Sequence, residues 1–265
     1  MTGRLTWIGT ATVLLEHSGF TVLTDPNFLH RGEAAYLGKG LFSRRRTEPS
    51  ASLDDLPPLD AVVLSHLHGD HFDRRAREGL PKDLPVLTTP ESARALARWG
   101  FTAAVGMRTW ESTTLVRGKA RLTVTAAPGT HAKGPLKALL PPVMGSVLRF
   151  EAPGSDPLQV YVTGDTLLHD DLREVPRRHP DLDVGLWHLG GTRIPFGKGV
   201  LVTMDGRQGA ELLSWVAPRR TVPVHHGDYG VFADPVETFL EECARRGLPG
   251  VVQAPRGVPV PLPPP

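Results

Sequence analysis

A single cysteine, Cys243, stands in 265 residues, so neither an intramolecular disulfide nor a multi-thiolate zinc site can form. That scarcity fits a reducing compartment, and a cytoplasmic setting is the expectation. Long apolar runs are also missing. None approaches the roughly 18 residues of a membrane-spanning helix, and no charged-then-apolar leader opens the sequence. Charge of one sign is not in excess either: 30 basic side chains nearly cancel 28 acidic ones, leaving +2. That balance gives no reason to expect a nucleic-acid or membrane-surface partner, and the pI of about 8.9 allows only a mild preference for anionic substrates. The one basic run, Arg44-Arg45-Arg46, has no interleaved aromatics and reads as a solvated loop.

What the chain does have is 40% hydrophobic residues, enough at this length to bury a sizeable core. Arg4 to Ile8 alternate, and Ala11–Glu16 and Phe20–Thr24 are apolar or β-branched, with Ser18-Gly19 as a hairpin turn between the last two. Residues 30–50 read as a loop. Thr89-Pro90 predicts a helix start, with the helix running to Trp99. Strands are expected near 112–117, 120–126, 145–151, 158–163 and 184–189. Helices are expected over 167–175, over 208–216 and after Asp234-Pro235. In that last helix Val236, Phe239, Leu240 and Cys243 form an apolar stripe, which makes Cys243 a core residue. The Pro-rich tail, 255–265, reads as a surface extension without regular hydrogen bonding. No internal linker divides the chain, so one domain over 1–265 is expected, an α/β (α+β) arrangement of two packed sheets with helices outside.

The sharpest signal is Ser65-His66-Leu67-His68-Gly69-Asp70-His71, four metal-ligand side chains in six residues after the apolar run Ala61–Leu64. Neutral imidazole and carboxylate are ligands that zinc accepts readily, and iron or manganese as well. Read on a strand, His66 and His68 share a face, and a turn at Gly69 lets Asp70 and His71 reach a second, adjacent position. Further ligands should come from other strand ends. Asp25, His131, Asp165 and His225 each follow a β-rich run. His226 competes with His225 but falls on the opposite face of that strand, which leaves it as a neighbour of the site or a substrate contact.

The order Asp25, then His66-x-His68-x-Asp70-His71, then His131, Asp165 and His225 resembles the metallo-β-lactamase-fold hydrolase superfamily. The stretch Thr6-Trp7-Ile8-Gly9-Thr10-Ala11-Thr12-Val13-Leu14, with Leu23-Thr24-Asp25-Pro26, is similar to the branch holding N-acyl-phosphatidylethanolamine phospholipase D and the ascorbate-6-phosphate lactonases. The resemblance implies a four-layer αββα sandwich and two zinc ions. It implies His66, His68 and His131 on one ion, Asp70, His71 and His225 on the other, Asp165 bridging, and Asp25 behind the ligands. Three departures stand out. Thr203, in Thr203-Met204-Asp205, takes the place of a substrate-facing histidine; Gly9-Thr10-Ala11 replaces Gly-His-Ala; and His188 sits where relatives carry an apolar residue or proline.

The implied activity is hydrolysis by a hydroxide bridging the two ions, positioned by Asp70 and Asp165 as the catalytic carboxylates. A small anionic or lipid-like substrate is expected, a phosphodiester ahead of a lactone or carboxylic ester. An apolar stretch, 134–144, with Lys133 beside it and Lys137 within it, reads either as a loop packed on the core or as a wall of the pocket, with Lys133 then placed for an anionic group. His188, His226 and Tyr229 are the candidates to protonate a leaving group. The rival from another class is a non-catalytic metal-binding or sensing module; a di-iron oxidoreductase is weaker still.

Overall fold

The computed structural model describes residues 3–132, 134–194 and 199–262. Two sheets face one another. The first runs Val260–Pro261, Arg4–Gly9, Thr12–His17, Phe20–Thr24, Ala61–Val63, Val86–Thr88, Ala104–Gly106; the second runs Arg220–Val224, Val184–His188, Leu158–Val162, Gly145–Glu151, Ala120–Ala127, Ser112–Arg117. Both follow one plan. An antiparallel meander leads into strands that pair in parallel: Phe20–Thr24 with Ala61–Val63 in the first sheet, Leu158–Val162 with Val184–His188 and then Arg220–Val224 in the second. Parallel strands end together at one rim, so the residues that follow them gather there.

Between the sheets lies a core drawn from both, including Leu5, Val13, Val22 and Val63 from one and Leu122, Val124, Leu148, Val160 and Leu186 from the other. Outside the first sheet, helices Arg74–Gly79 and Pro90–Arg98 bury Ala76 and Leu96 against Val62, Leu64 and Val86. Outside the second, Gly206–Val216 and Val236–Arg246 bury Leu212, Leu213 and Phe239 against Tyr161 and Trp187. The result is a four-layer αββα sandwich. Its helix starts are chemically marked: Thr89 accepts from Ser92 N–H ahead of Pro90, and Asp205 accepts from Gln208 N–H. Cys243 is buried in the outer core of the second sheet, where burial pushes its thiol up to about 11.

Several expectations need correction. The Pro-rich tail is no free extension: Val260–Pro261 adds an edge strand beside Arg4–Gly9, and Leu262 is buried, its N–H donating to Gly3 O at 3.0 Å. Proline lacks the N–H that an inner strand needs, but at an edge that side faces outward. Residues 30–50 contain a hairpin, Ala34–Tyr36 against Phe42–Arg44. The helix expected over 167–175 is a 3-10 turn, Asp170–Arg173, followed by Glu174–Arg178. Pro176, which cannot donate its backbone N–H, sits in that helix's first turn. Arg45 is buried rather than solvated: its Nη1 donates to Asn27 O and Oδ1, and Nη2 lies 4.0 Å from buried Asp228. His17 is buried and packs edge-on against Phe150 inside the sandwich. Lys133 and the role expected of it lie outside the described residues.

Candidate metal centre

The strand Ala61–Val63 ends before the histidine motif, so Ser65 to His71 form a loop at the rim rather than a continuation of the strand. Convergence of His66 and His68 therefore comes from loop geometry, not from strand alternation. The loop is pinned at both ends. Asp25 accepts from the N–H and hydroxyl of Ser65, each at 2.8 Å. At the far end Asp73 accepts from Ala76 N–H to start helix Arg74–Gly79, and from the backbone N–H groups of Phe28 and Leu29. Gly69 is required by crowding: a Cβ there would lie 2.7 Å from the Tyr36 nitrogen. The 34–44 hairpin thus rests on the motif, with Gly69 N–H donating to Tyr36 O at 2.8 Å and Gly38 beside His68.

The distant residues arrive from the second sheet. His131 follows Ala120–Ala127, Asp165 follows Leu158–Val162, and His225 follows Arg220–Val224. Gly164, at φ +61°, turns the chain ahead of Asp165, and a Cβ there would lie 2.8 Å from Met144 O. His225 (φ 59°) and Asp25 (φ 39°) hold left-handed backbone without being glycine, a strained conformation that concentrates at functional sites.

Four triplets of donor atoms lie within 4.8 Å of one another: His66, His68 and His131; His66, His71 and Asp165; Asp70, His71 and His225; Asp25, His71 and His188. The first and third are the two ligand sets that the family resemblance implies, and the second joins them through Asp165. His66 Nε2 lies 2.8 Å from His68 Nδ1 and 3.0 Å from His131 Nε2, while His71 Nε2 lies 3.1 Å from His225 Nε2. The outer nitrogens of His66, His131 and His225 meet oxygens. His131 Nδ1 donates to Val202 O at 2.8 Å, His225 Nδ1 to Leu189 O at 3.0 Å, and Ser65 Oγ stands 3.0 Å from His66 Nδ1. With those outer nitrogens protonated, the facing nitrogens of neutral rings present lone pairs to one another, which a cation between them would satisfy.

Charge tells the same story. Asp25, Asp70 and Asp165 are all buried, and among the described residues their ion-pair partners are histidines only, with no lysine or arginine in contact. Burial pulls His71 down, but Asp165, Asp25 and Asp70 together hold it well above the ordinary imidazole range. His225 is raised in the same way, against burial, by Asp165 and Asp70. Burial dominates on the other side, where His66 is held well below its usual value and His68 falls to about 3. Burial also opposes ionisation of Asp165, yet His225 and His71 keep it well below the usual carboxylate range. Asp70 Oδ1 and Asp165 Oδ1 lack hydrogen-bond partners among the described residues. Unpaired buried carboxylate oxygens are costly unless something positive completes them. The donor set fits divalent metal cations.

Around this cluster, Thr203 Oγ1 donates to Asp165 Oδ2 at 2.9 Å, so the residue standing in place of a substrate-facing histidine holds a carboxylate instead. Asp25 lies behind His71, with His188 beside it. His226 stays outside all four triplets; it packs on the Trp7 ring, where burial lowers it to about 4 against the pull of Asp228. Tyr229 is buried, donating to Asn27 Oδ1 at 3.0 Å, and burial raises its phenol far above its ordinary value. Along 134–144, Val143 and Met144 pack inward, Met144 into the central core, while Lys137 is exposed and lines a surface pocket of about 520 Å³ next to Thr130 and Ala132. Sequence reasoning did not single out Ser65 or Asn27. Asn27 Nδ2 donates to Gly69 O at 2.7 Å, and its Oδ1 accepts from both Arg45 and Tyr229. The adjacency of Asn27 to Asp25 and of Ser65 to His66 was the available signal.

This architecture and rim cluster are those of the metallo-β-lactamase fold. Residues 21–226 match the family model described as a Beta-lactamase superfamily domain, and the chain belongs to that family. Among its relatives is a protein of Methanosphaerula palustris named a metal-dependent hydrolase, 29% identical over 260 residues that cover 96% of this chain and 97% of that one. Another so named, from an Anaeromyxobacter species, is 27% identical over 87% of this chain and 77% of its own. Among solved structures, a possible metal-dependent hydrolase of Veillonella parvula superposes with a TM-score of 0.82 at 22% identity, covering 98% of this chain and 99% of that one. An isothiocyanate hydrolase from Delia radicum gut bacteria gives 0.80 at 21% identity, covering 97% and 98%. At these identities the structural likeness is one of fold. The narrower likeness to the phospholipase D and lactonase branch remains a sequence resemblance.

Proposed function

We propose that this chain is a metal-dependent hydrolase that holds two divalent ions, zinc by preference with manganese or iron as substitutes, and cleaves a phosphodiester. The observation that carries the reading is the joined pair of donor triplets, with imidazole nitrogens facing one another and buried carboxylates that no lysine or arginine among the described residues neutralises. His66, His68 and His131 would hold one ion, Asp70, His71 and His225 the other, and Asp165 would touch both. When bound, such ions supply Lewis acidity, neutralising charge on a substrate oxygen and lowering the pKa of water. The protein's own part is to orient and to exclude. Asp70 Oδ1, without a hydrogen-bond partner among the described residues, and Asp165 Oδ1, 3.3 Å from His225 Nδ1, are the carboxylate oxygens that would orient a water and accept its proton. Val202 O and Leu189 O fix the rings of His131 and His225 so that they need not reorganise during the reaction. The central core shared by both sheets supports one domain as the working unit.

The phosphodiester preference rests on the branch resemblance and on Lys137 beside the His131 segment. Thr203 favours a second reading. Because its hydroxyl is committed to Asp165, no imidazole stands at that position to meet a phosphoryl group, which suits a lactone or carboxylic ester. Elemental analysis of protein purified without added metal, expected to give about two ions per chain, is the first test; none would sink the reading. Turnover of bis-p-nitrophenyl phosphate against a lactone panel then separates the substrates. Lactones alone would overturn the phosphodiester, and full metal with no turnover of any ester would leave a sensing module.

A further inference from the structure

The two oxygens of Asp25 live in different surroundings. Oδ1 accepts both hydrogen bonds from Ser65 and lies 3.3 Å from His71 Nδ1. Oδ2 has no hydrogen-bond partner among the described residues and is approached by His188 Nε2 at 3.5 Å. His188 is fully buried at the end of Val184–His188, and its Nε2 is equally without another partner. We propose that His188 is a positioning residue, holding Asp25 so that His71 keeps its Nε2 turned toward Asp165 and His225. The proposal rests on the two-ion reading and adds a residue that the reading does not need.

The proton on His188 can be placed from its neighbours. Thr163 Oγ1 accepts from the His188 backbone N–H at 2.9 Å and lies 3.2 Å from His188 Nδ1. A buried hydroxyl hydrogen needs an acceptor, and among the described residues Nδ1 is the one within reach. Nδ1 therefore accepts, and the neutral ring carries its hydrogen on Nε2, the atom facing Asp25. Asp25 Oδ1 in turn faces His71 Nδ1, which leaves His71 Nε2 with its lone pair 3.3 Å from Asp165 Oδ2 and 3.1 Å from His225 Nε2. One directed path thus runs from Thr163 through His188 and Asp25 to His71. Thr163 is a rigid origin, because its N–H donates to Leu186 O at 3.1 Å within the sheet. The rings of His188 and His71 lie nearly parallel, 14° apart with centroids at 6.0 Å. The other triplet is reached less directly: His66 meets Asp25 only through the Ser65 hydroxyl, which also stands 3.2 Å from His71 Nδ1, and His131 is backed by a backbone carbonyl. Losing His188 should therefore weaken one ion and spare the other.

The test uses the full chain and zinc as the probe. Chelator competition resolves the two affinities in wild type, His188→Leu and His188→Gln, while melting of the metal-free forms reports folding. His188→Leu should weaken one ion by about 10- to 100-fold, the usual cost of losing an outer partner of a metal ligand, and leave the other close to wild type. His188→Gln keeps a nitrogen donor at the Nε2 position and should restore most of that loss. A packing role would rank them the other way, since leucine suits a buried site better than an amide. Two wild-type affinities in His188→Leu overturn the proposal, as does a glutamine variant no better than leucine. A third ion in wild type that disappears in His188→Leu also overturns it, by making His188 a ligand. If His188→Leu does not fold, Thr163→Val carries the decision: it frees the ring to turn and should weaken the same ion, and an unchanged affinity refutes the path. Wild type that binds no zinc overturns the metal reading itself, a result distinct from any shown by the variants alone.

Discussion

The two halves of the cluster are built from different chemistry. His66, His68 and His131 form a set of three imidazoles held low by burial, with no carboxylate among them. Asp70, His71 and His225 form an ionic nest with Asp165, in which the carboxylates draw the two imidazoles above their ordinary range. The first set is complete when neutral and would bind a cation by lone-pair donation. The second is incomplete without positive charge, since its buried carboxylates have only histidines as ion-pair partners among the described residues. The same dication would therefore meet two environments of different charge and different access. His68 is only half-buried under the 34–44 hairpin, whereas His71 and His225 are wholly enclosed.

Asp165→Asn should erase the contrast, because that carboxylate lies against both sets. Zinc content is expected to fall from two to below one per chain, with hydrolysis reduced at least about a hundredfold; retention of both ions would refute the shared role. Single changes on either side should separate the halves. His131→Ala is expected to remove one ion and Asp70→Asn the other, each variant keeping about one per chain by elemental analysis. Loss of both ions from His131→Ala would show that the halves fill as one unit. A smaller effect is expected from Thr203→Val, which takes the hydroxyl from Asp165 at nearly constant volume. It should weaken zinc binding by at least roughly tenfold, from the about 1.5–3 kcal/mol of a hydrogen bond to a charged group, and urea unfolding should shift by no more than that.

How much of this was legible depends on how far each signal extends along the chain. The 65–71 loop announces itself because its ligands are neighbours in sequence, and the strands and long helices follow from periodicity over several residues. Val86–Thr88 and Ala104–Gly106 were not foreseen, since three-residue strands are too short to show a period. Arg45 reads as solvated because nothing local reveals the buried Asn27 and Asp228 that the fold brings to it. The ligand status of His131 and His225 came from order along the chain, whereas the carbonyls that fix their rings are set only by tertiary packing. His188 is the clearest case: its place in the sequence marked a departure, and only the folded chain shows Asp25 and Thr163 on either side of it.

The exposed side of the contrast can be probed through the hairpin over His68. Glu33, just before the strand Ala34–Tyr36, is bound by Arg74 and by Arg75 at 3.0 and 3.1 Å, tying the hairpin to the helix that follows the metal motif. The hydrogen bonds from Arg75, partly offset by burial, lower its carboxyl from 4.5 to about 2. Unfolded chains therefore take up that proton near pH 4.5 while the folded protein resists it to about 2. The stabilisation is complete above the upper value and drains away as the pH falls toward the lower one. Because the group is partly solvated, its worth is roughly 1 kcal/mol rather than the full shift. Glu33→Gln should lower stability by that amount at pH 7, with the difference from wild type closing below pH 4.5 in denaturant melts. If the hairpin guards only the three-histidine half, the same variant should speed zinc loss from one site and leave the enclosed site unchanged. Equal acceleration at both sites would mean that the hairpin covers the whole cluster and that the difference in access is not real.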